Sequence, residues 1–321
     1  MKKIAMAIMS CLISMAAVAG ETPAEQDADG VKALRMAIED LIESYTVEYP
    51  RGKEYLARAD EIEKLPAGQQ RDDELRQLKR VALLDNPLLK FRKLLLVRRK
   101  TGRQGLPCNW QGNESLPRTG YDNEIAVLSL DRPDGELQTV FRPQSDLFVG
   151  DLDLHFDGRR LLFSMPGENG RWQVHEIEID PADPTASAGS VPGELPLIPD
   201  ADVDNYDACY LPDGNILFTS TATYTGVPCV QGSSHVANIY RLETHTGEIR
   251  RLTFDQDHNW NPTVLNNGRV LYLRWEYSDL PHFVARILFS MNPDGTNQVE
   301  YYGSGSYWPN SFFYARPVPD H

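Results

Sequence analysis

Hydrophobic positions change their rhythm once along this chain. Between Val31 and Tyr45, the residues Leu34, Ala37, Ile38, Leu41 and Ile42 recur at helical spacing. A second helix is predicted over about 53–65, ended by Pro66-Ala67-Gly68, and a third over about 72–84, ended by Asn86-Pro87. Leu88-Leu89, Phe91 and Leu94-Leu95-Leu96-Val97 then read as a strand leading into a second domain. Beyond about residue 105 the apolar runs become short and are separated by Gly, Pro, Asn and Asp, as in an antiparallel β protein.

Aligning the turn glycines exposes a repeat. Asp151-Leu-Asp-Leu-His-Phe-Asp-Gly158, Asp207-Ala-Cys-Tyr-Leu-Pro-Asp-Gly214 and Asn261-Pro-Thr-Val-Leu-Asn-Asn-Gly268 are each followed by a second apolar run. The glycines lie 56 and 54 residues apart. Asp or Asn before Gly suits a tight turn, because these residues tolerate positive φ. Third strands are predicted at 172–179, 237–242 and 285–291, and 125–141 reads as the outer half of an earlier unit. Four short strands at a fixed period are the pattern of a β-propeller blade. The predicted fold is therefore mainly β: a partial propeller, open or truncated, preceded by a small α-helical segment. Its expected domains are a leader over 1–19, a helical segment over 20–105 and the propeller over 106–321, with repeats at about 147–200, 201–254 and 255–309. Three full repeats with a half unit before and a beginning after fall short of the 4–8 blades of a closed ring. The expectation is thus a truncated or split copy of a longer architecture.

Charge supports the same boundary. The net charge of -14 is unevenly placed: residues 31–105 carry +5, while residues 106–321 carry -17 and contain no lysine at all. Such a break marks a change of domain. The acidic balance argues against nucleic acid as a partner, since phosphate binding needs clustered Lys and Arg. With 41% hydrophobic residues, the composition is that of a globular protein and excludes wholesale disorder.

Met1-Lys2-Lys3, the apolar run Ile4 to Ala19 and Ala17-Val18-Ala19 read as a secretory signal peptide cleaved near Ala19. The predicted location is periplasmic or secreted, with no integral membrane segment. Three cysteines would remain: Cys108, Cys209 and Cys229. A Cys209–Cys229 disulfide would close a loop of roughly 20 residues and contribute roughly 3 kcal/mol. Two buried thiols, or a metal-binding thiol at Cys229, fit the sequence as well.

Candidate chemistry is sparse. Asp151, Asp207 and Asn261 stand seven residues before their turn glycines, and Asp204 and His258 stand ten before theirs. On inner strands these oxygens and one imidazole could face the propeller axis and hold a polar ligand or a cation such as Ca2+. The competing assignment is hydrogen bonding to the neighbouring repeat, and it carries the greater weight. His258-Asn259-Trp260 and Tyr277 with His282 form polar-aromatic clusters that suit either packing or a ligand surface. Asn113-Glu114-Ser115 fits a glycosylation sequon, a pattern short enough to arise by chance. H-E-x-x-H, G-x-S-x-G, the P-loop and G-x-G-x-x-G are absent, so no catalytic residue is assigned.

Leu211-Pro212-Asp213-Gly214, Ile239-Tyr240-Arg241-Leu242 and Arg251-Leu252-Thr253 resemble the TolB-like propeller repeat. Longer stretches, 121–127, 164–172, 204–214, 255–260 and 274–283, are similar to large exported proteins related to the hydrazine synthase alpha subunit. The resemblance runs from about Tyr49 onward. It implies a propeller part preceding haem-bearing domains, in a family whose hydrazine synthesis depends on c-type haems. This sequence contains no C-x-x-C-H, so no haem is expected in the chain itself. With no haem motif and no catalytic motif in the chain, the expected role is a binding or scaffold module whose partner is a protein, or the remaining propeller and haem domains. The alternatives are the propeller portion of a haem- or metal-dependent redox enzyme and a degenerate fragment without function.

Overall fold

The computed structural model describes residues 23–89, 91–107, 112–130, 137–187, 192–227, 231–275, 277, 285–303, 308–309 and 311–318. The predicted leader, Cys108, Cys229 and His282 lie outside them. The chain divides into two compact units, one of Met1–Leu94 with Ser129–Glu136 and the other of Leu95–Leu128 with Leu137–His321.

The first unit holds three helices, α1 (Pro23–Tyr45), α2 (Gly52–Glu63) and α3 (Gln69–Leu84). Helix α1 begins eight residues before its apolar periodicity. Pro23 sits at the first helical position, where its missing N–H costs nothing. Val31, Leu34, Ile38 and Leu41 form one stripe against Tyr49, Tyr55, Ala59, Ile62, Leu78 and Ala82. The two tyrosines pin the bundle through polar tips: Tyr49 donates to the Ala82 carbonyl at 2.8 Å and Tyr55 to Asp85 at 2.7 Å. Among the described residues, no helix is long and apolar enough to cross a membrane.

The second unit is a partial β-propeller of four antiparallel sheets. The first contains three strands, β1 (Lys93–Arg99), β2 (Asn123–Ser129) and β3 (Leu137–Phe141), in that order. Three four-stranded sheets follow. They are β4 (Gly150–Leu154), β5 (Arg160–Pro166), β6 (Trp172–Glu178) and β7 (Gly193–Glu194); β8 (Asn205–Tyr210), β9 (Ile216–Ser220), β10 (Asn238–Leu242) and β11 (Ile249–Arg251); and β12 (Asn259–Val264), β13 (Val270–Trp275), β14 (Arg286–Met291) and β15 (Val299–Tyr302). Each of the three is a simple meander in chain order. The predicted third strands correspond to β6, β10 and β14. Apolar cores lie between successive sheets: Leu162, Val174, Ala208, Tyr210 and Phe218 pack between the second and third, and Leu217, Ile239, Val270 and Tyr272 between the third and fourth.

One irregularity recurs in the innermost strand of each full sheet. The pairing slips between Gly150 and Asp153, between Tyr206 and Cys209, and between Trp260 and Thr263. Asp151, Asp207 and Asn261 occupy these bulges with φ of 52°, 51° and 51°. A left-handed backbone favours Asp or Asn over other side-chain-bearing residues, which explains the residue type at this place. Tyr314 repeats the conformation at φ 51°, 53 positions after Asn261.

Candidate functional site at the propeller axis

The bulge residues meet one another around the axis. Asp207 accepts the Asn261 backbone N–H at 2.6 Å and its Nδ2–H at 2.7 Å. Asn261 in turn accepts the Tyr314 backbone N–H at 3.3 Å. Between Asp151 and Asp207 the link is indirect, through Ser164. Its hydroxyl accepts the Asp207 N–H at 2.9 Å and bonds to the Asp151 carboxylate. Asn113 supplies a further amide donor to Asp151. Asp151, Asp207 and Asn261 thus form a polar spine that ties each inner strand to the next.

Asp204 and His258 sit three residues before their bulges and do a different job. Asp204 accepts the Trp172 N–H at 2.9 Å and pairs with Arg118 at 3.2 Å. His258 accepts the Ala237 N–H on Nδ1 at 3.0 Å. Both therefore bond to the backbone where the preceding sheet's third strand begins. The five candidates do not converge on one shell, and the described residues contain no group of three or more His, Cys, Asp or Glu placed to hold a metal ion. Cys209 is a buried free thiol in the core between the third and fourth sheets.

Trp260, next to the bulge residue Asn261 in β12, belongs to an aromatic stack that has a carboxylate nearby. His258 lies parallel to Trp260 at 4.5 Å and to Trp275 at 5.6 Å, and Trp275 stacks on Tyr277 at 5.0 Å. The Arg286 guanidinium covers Trp275 at 5.0 Å. Glu114 comes from a short 3-10 turn, Asn113–Ser115, ahead of β2. It accepts from the Tyr206 hydroxyl at 2.8 Å, from Ser234 at 3.2 Å and from the Gly112 N–H at 3.3 Å. Its Oε1 lies 3.9 Å from His258 Nε2. The sequon at Asn113 is buried, with its amide committed to Asp151.

Burial sets the ionisation of this region. It raises Glu114 and Asp151 above the usual carboxylate range, and raises Asp207 through burial and the neighbouring Asp151 charge. Burial, with the Arg286 charge, lowers His258 to about 3, so Nε2 keeps the proton of a neutral ring whose Nδ1 is an acceptor. Arg286 itself is lowered to about 9 by burial.

Asp153, one pleat further along β4, accepts the Tyr210 N–H at 2.9 Å, and burial lifts it to about 6 from the ordinary 3.8. A raised acid binds its proton more tightly in the folded state, so its contribution is full below pH 3.8 and is lost as pH rises through about 6. Asp153→Asn keeps an acceptor and removes the titration. It is expected to gain about 2 kcal/mol on the natural chain between pH 4 and pH 7. Urea midpoints of the two proteins across that range check the difference, and parallel curves refute it.

No protein-family profile matches the sequence, and no curated protein matches it. Solved structures do. The hydrazine synthase of Kuenenia stuttgartiensis superposes with a TM-score of 0.50 at 14% identity, over 66% of this chain and 32% of its own. The likeness is one of fold. This chain spans about a third of the length of that relative. TolB from Acinetobacter baumannii (TM-score 0.39, 18% identity, 55% of this chain and 37% of its own) is more distant. So is the β-propeller domain of the Trilobed protease from Pyrococcus furiosus (TM-score 0.36, 15% identity, 65% and 48%).

Proposed function

We propose that this chain is an exported propeller module that binds or organises a protein partner, related to the propeller part of hydrazine synthase alpha subunit-like proteins. The commitment of the axial polar groups supports this reading. Asp151, Asp204, Asp207, Asn261 and Glu114 each spend their acceptors on named backbone or side-chain donors within the fold. Groups engaged in this way hold repeats together and are poorly placed to exchange ligands or protons with a substrate. Phe156, Tyr224 and Phe254 stand exposed on the propeller unit and are the residue types that anchor protein contacts.

The test is an optical spectrum with metal analysis of the purified full chain. The expected result is protein absorbance alone and no stoichiometric metal. A Soret band, or one equivalent of a transition metal or calcium, overturns the reading. The similarity of the five sequence stretches to a haem-dependent family supports a second reading, in which the module serves a redox domain carried elsewhere. That reading predicts haem absorbance only in a complex isolated with the partner.

A further inference from the structure

The stacked rings beside Glu114 connect a half-buried tyrosine to a fully buried one. Trp275, at the end of β13, donates its N–H to the His258 carbonyl at 3.0 Å, and this bond sets the rings of the two strands face to face. Their order is Trp260, His258, Trp275 and Tyr277, with interplanar angles of 19°, 18° and 7°. Parallel packing at ring contact is favourable in itself, so stacking alone assigns no role. The far end of the stack adds one. Trp260 Nε1 and the Tyr206 hydroxyl each lie 2.5 Å from the point that a Cβ on Gly112 would take, and Glu114 Oε2 lies 2.9 Å from it. The stack therefore ends against a phenol whose proton already points at a carboxylate, 2.8 Å away.

Each member suits the passage of one electron. Indole and phenol rings are among the side chains most readily oxidised by one electron. The imidazole is harder to oxidise and serves as a bridge between the two indoles. Burial and the Arg286 charge lower His258 to about 3, so the neutral ring does not repel a positive charge on either side. The Arg286 guanidinium, 5.0 Å over Trp275, disfavours a cation radical there and keeps the charge from resting on that ring. A phenol that loses an electron becomes a strong acid, so its oxidation needs a base that takes the proton at once. Glu114 stands within the reach that proton transfer requires. Three donors face its carboxylate, the Tyr206 and Ser234 hydroxyls and the Gly112 N–H, an arrangement that suits the ionised form. Burial then strengthens its hold on a proton that arrives.

We propose that Trp260, His258, Trp275 and Tyr277 form a path along which an electron leaves Tyr206, while Glu114 receives the Tyr206 proton. The electron goes to an outer-sphere one-electron oxidant of the metal-complex class, acting at the Tyr277 end. That oxidant is reduced by one electron. The Tyr206 Oη–H bond breaks, a new O–H bond forms at Glu114 Oε2, and a neutral tyrosyl radical remains in the core. Reversal returns the electron and the proton, so the pair holds one oxidising equivalent away from water.

Flash photolysis of the full chain with ruthenium tris-bipyridine and a sacrificial electron acceptor tests this, read by electron paramagnetic resonance and infrared difference spectroscopy. The expected result is a neutral tyrosyl radical together with the carbonyl band of a newly protonated carboxylic acid. Exposed Tyr224 meets the oxidant directly, and Tyr210 donates to Glu176 at 2.6 Å, so the deciding signal is the one that Tyr206→Phe removes. Tyr206→Phe should lose that radical and its band and leave a tryptophan radical. Glu114→Gln keeps an acceptor for the hydroxyl but is no base, and should lose the same signal in a protein that still folds. Tyr277→Phe should lower the yield of the Tyr206 radical. Spectra that are identical in the natural chain, Tyr206→Phe and Glu114→Gln overturn the proposal. So does a Tyr206 radical that forms without the carboxylic band, or one whose yield Tyr277→Phe leaves unchanged. The experiment supplies its own oxidant and needs no protein partner, so its failure leaves the binding-module reading untouched.

Discussion

Asp207→Ala is expected to cost about 4 kcal/mol of folding stability, most of what a typical domain can lose and remain folded at 37 °C. Three effects add. The Asn261 N–H and Nδ2–H, 2.6 and 2.7 Å from the carboxylate, both lose their acceptor in a buried place. An unsatisfied buried donor costs about 1–3 kcal/mol. Alanine must also hold φ near 51°, where a residue without a short polar side chain is strained by about 1 kcal/mol or more. Asp207→Asn should behave differently, within about 1 kcal/mol of the natural protein. It keeps an acceptor for Asn261, tolerates the left-handed backbone, and resembles the protonated acid that burial and Asp151 already favour. The neighbouring repeat performs this substitution itself, with Asn261 accepting from Tyr314. Urea unfolding of the two variants decides the matter; equal losses would show that the carboxylate charge, rather than the bonded spine, holds the sheets.

Much of this spine is legible in the sequence because it repeats. Asp151, Asp207 and Asn261 announce themselves by fixed distance to a turn glycine, and the bulge explains why only Asp and Asn fill that place. Tyr314 belongs to the same series but breaks its residue type and has no following turn glycine by which to align it. Asp204 and His258 share a repeat position despite unlike chemistry, and the structure gives them one task, accepting a backbone N–H from the preceding sheet. What stays hidden is everything supplied from outside the repeats. Arg118 reaches Asp204 across 86 positions and Glu114 reaches Ser234 across 120. Such pairings arise from the path of one irregular segment, and no periodicity encodes them. In the sequence Glu114 stands only as the middle residue of a sequon short enough to arise by chance.

That segment carries the second large effect. Glu114→Ala is expected to cost about 3 kcal/mol, because Tyr206, Ser234 and the Gly112 N–H all lose one acceptor together. Glu114→Gln retains an acceptor and sheds a buried charge, so its cost should stay near 1 kcal/mol. Packing around the same turn is equally intolerant. A Cβ at Gly112 would lie 2.5 Å from Trp260 Nε1, 2.5 Å from the Tyr206 hydroxyl and 2.9 Å from Glu114 Oε2. The φ of Gly112 is -96°, which any residue can adopt, so Gly112→Ala would fail on space alone. The two variants should therefore agree in a readout that a surface turn would not move: each displaces Trp260 against His258 and changes tryptophan emission along with the urea midpoint. If Glu114→Ala and Gly112→Ala unfold at the natural midpoint with unchanged emission, residues 112–116 lie on the propeller without pinning it. If both fall, this irregular turn is the structural counterpart of the bulge spine, fastening from outside the repeats what Asp207 fastens from within.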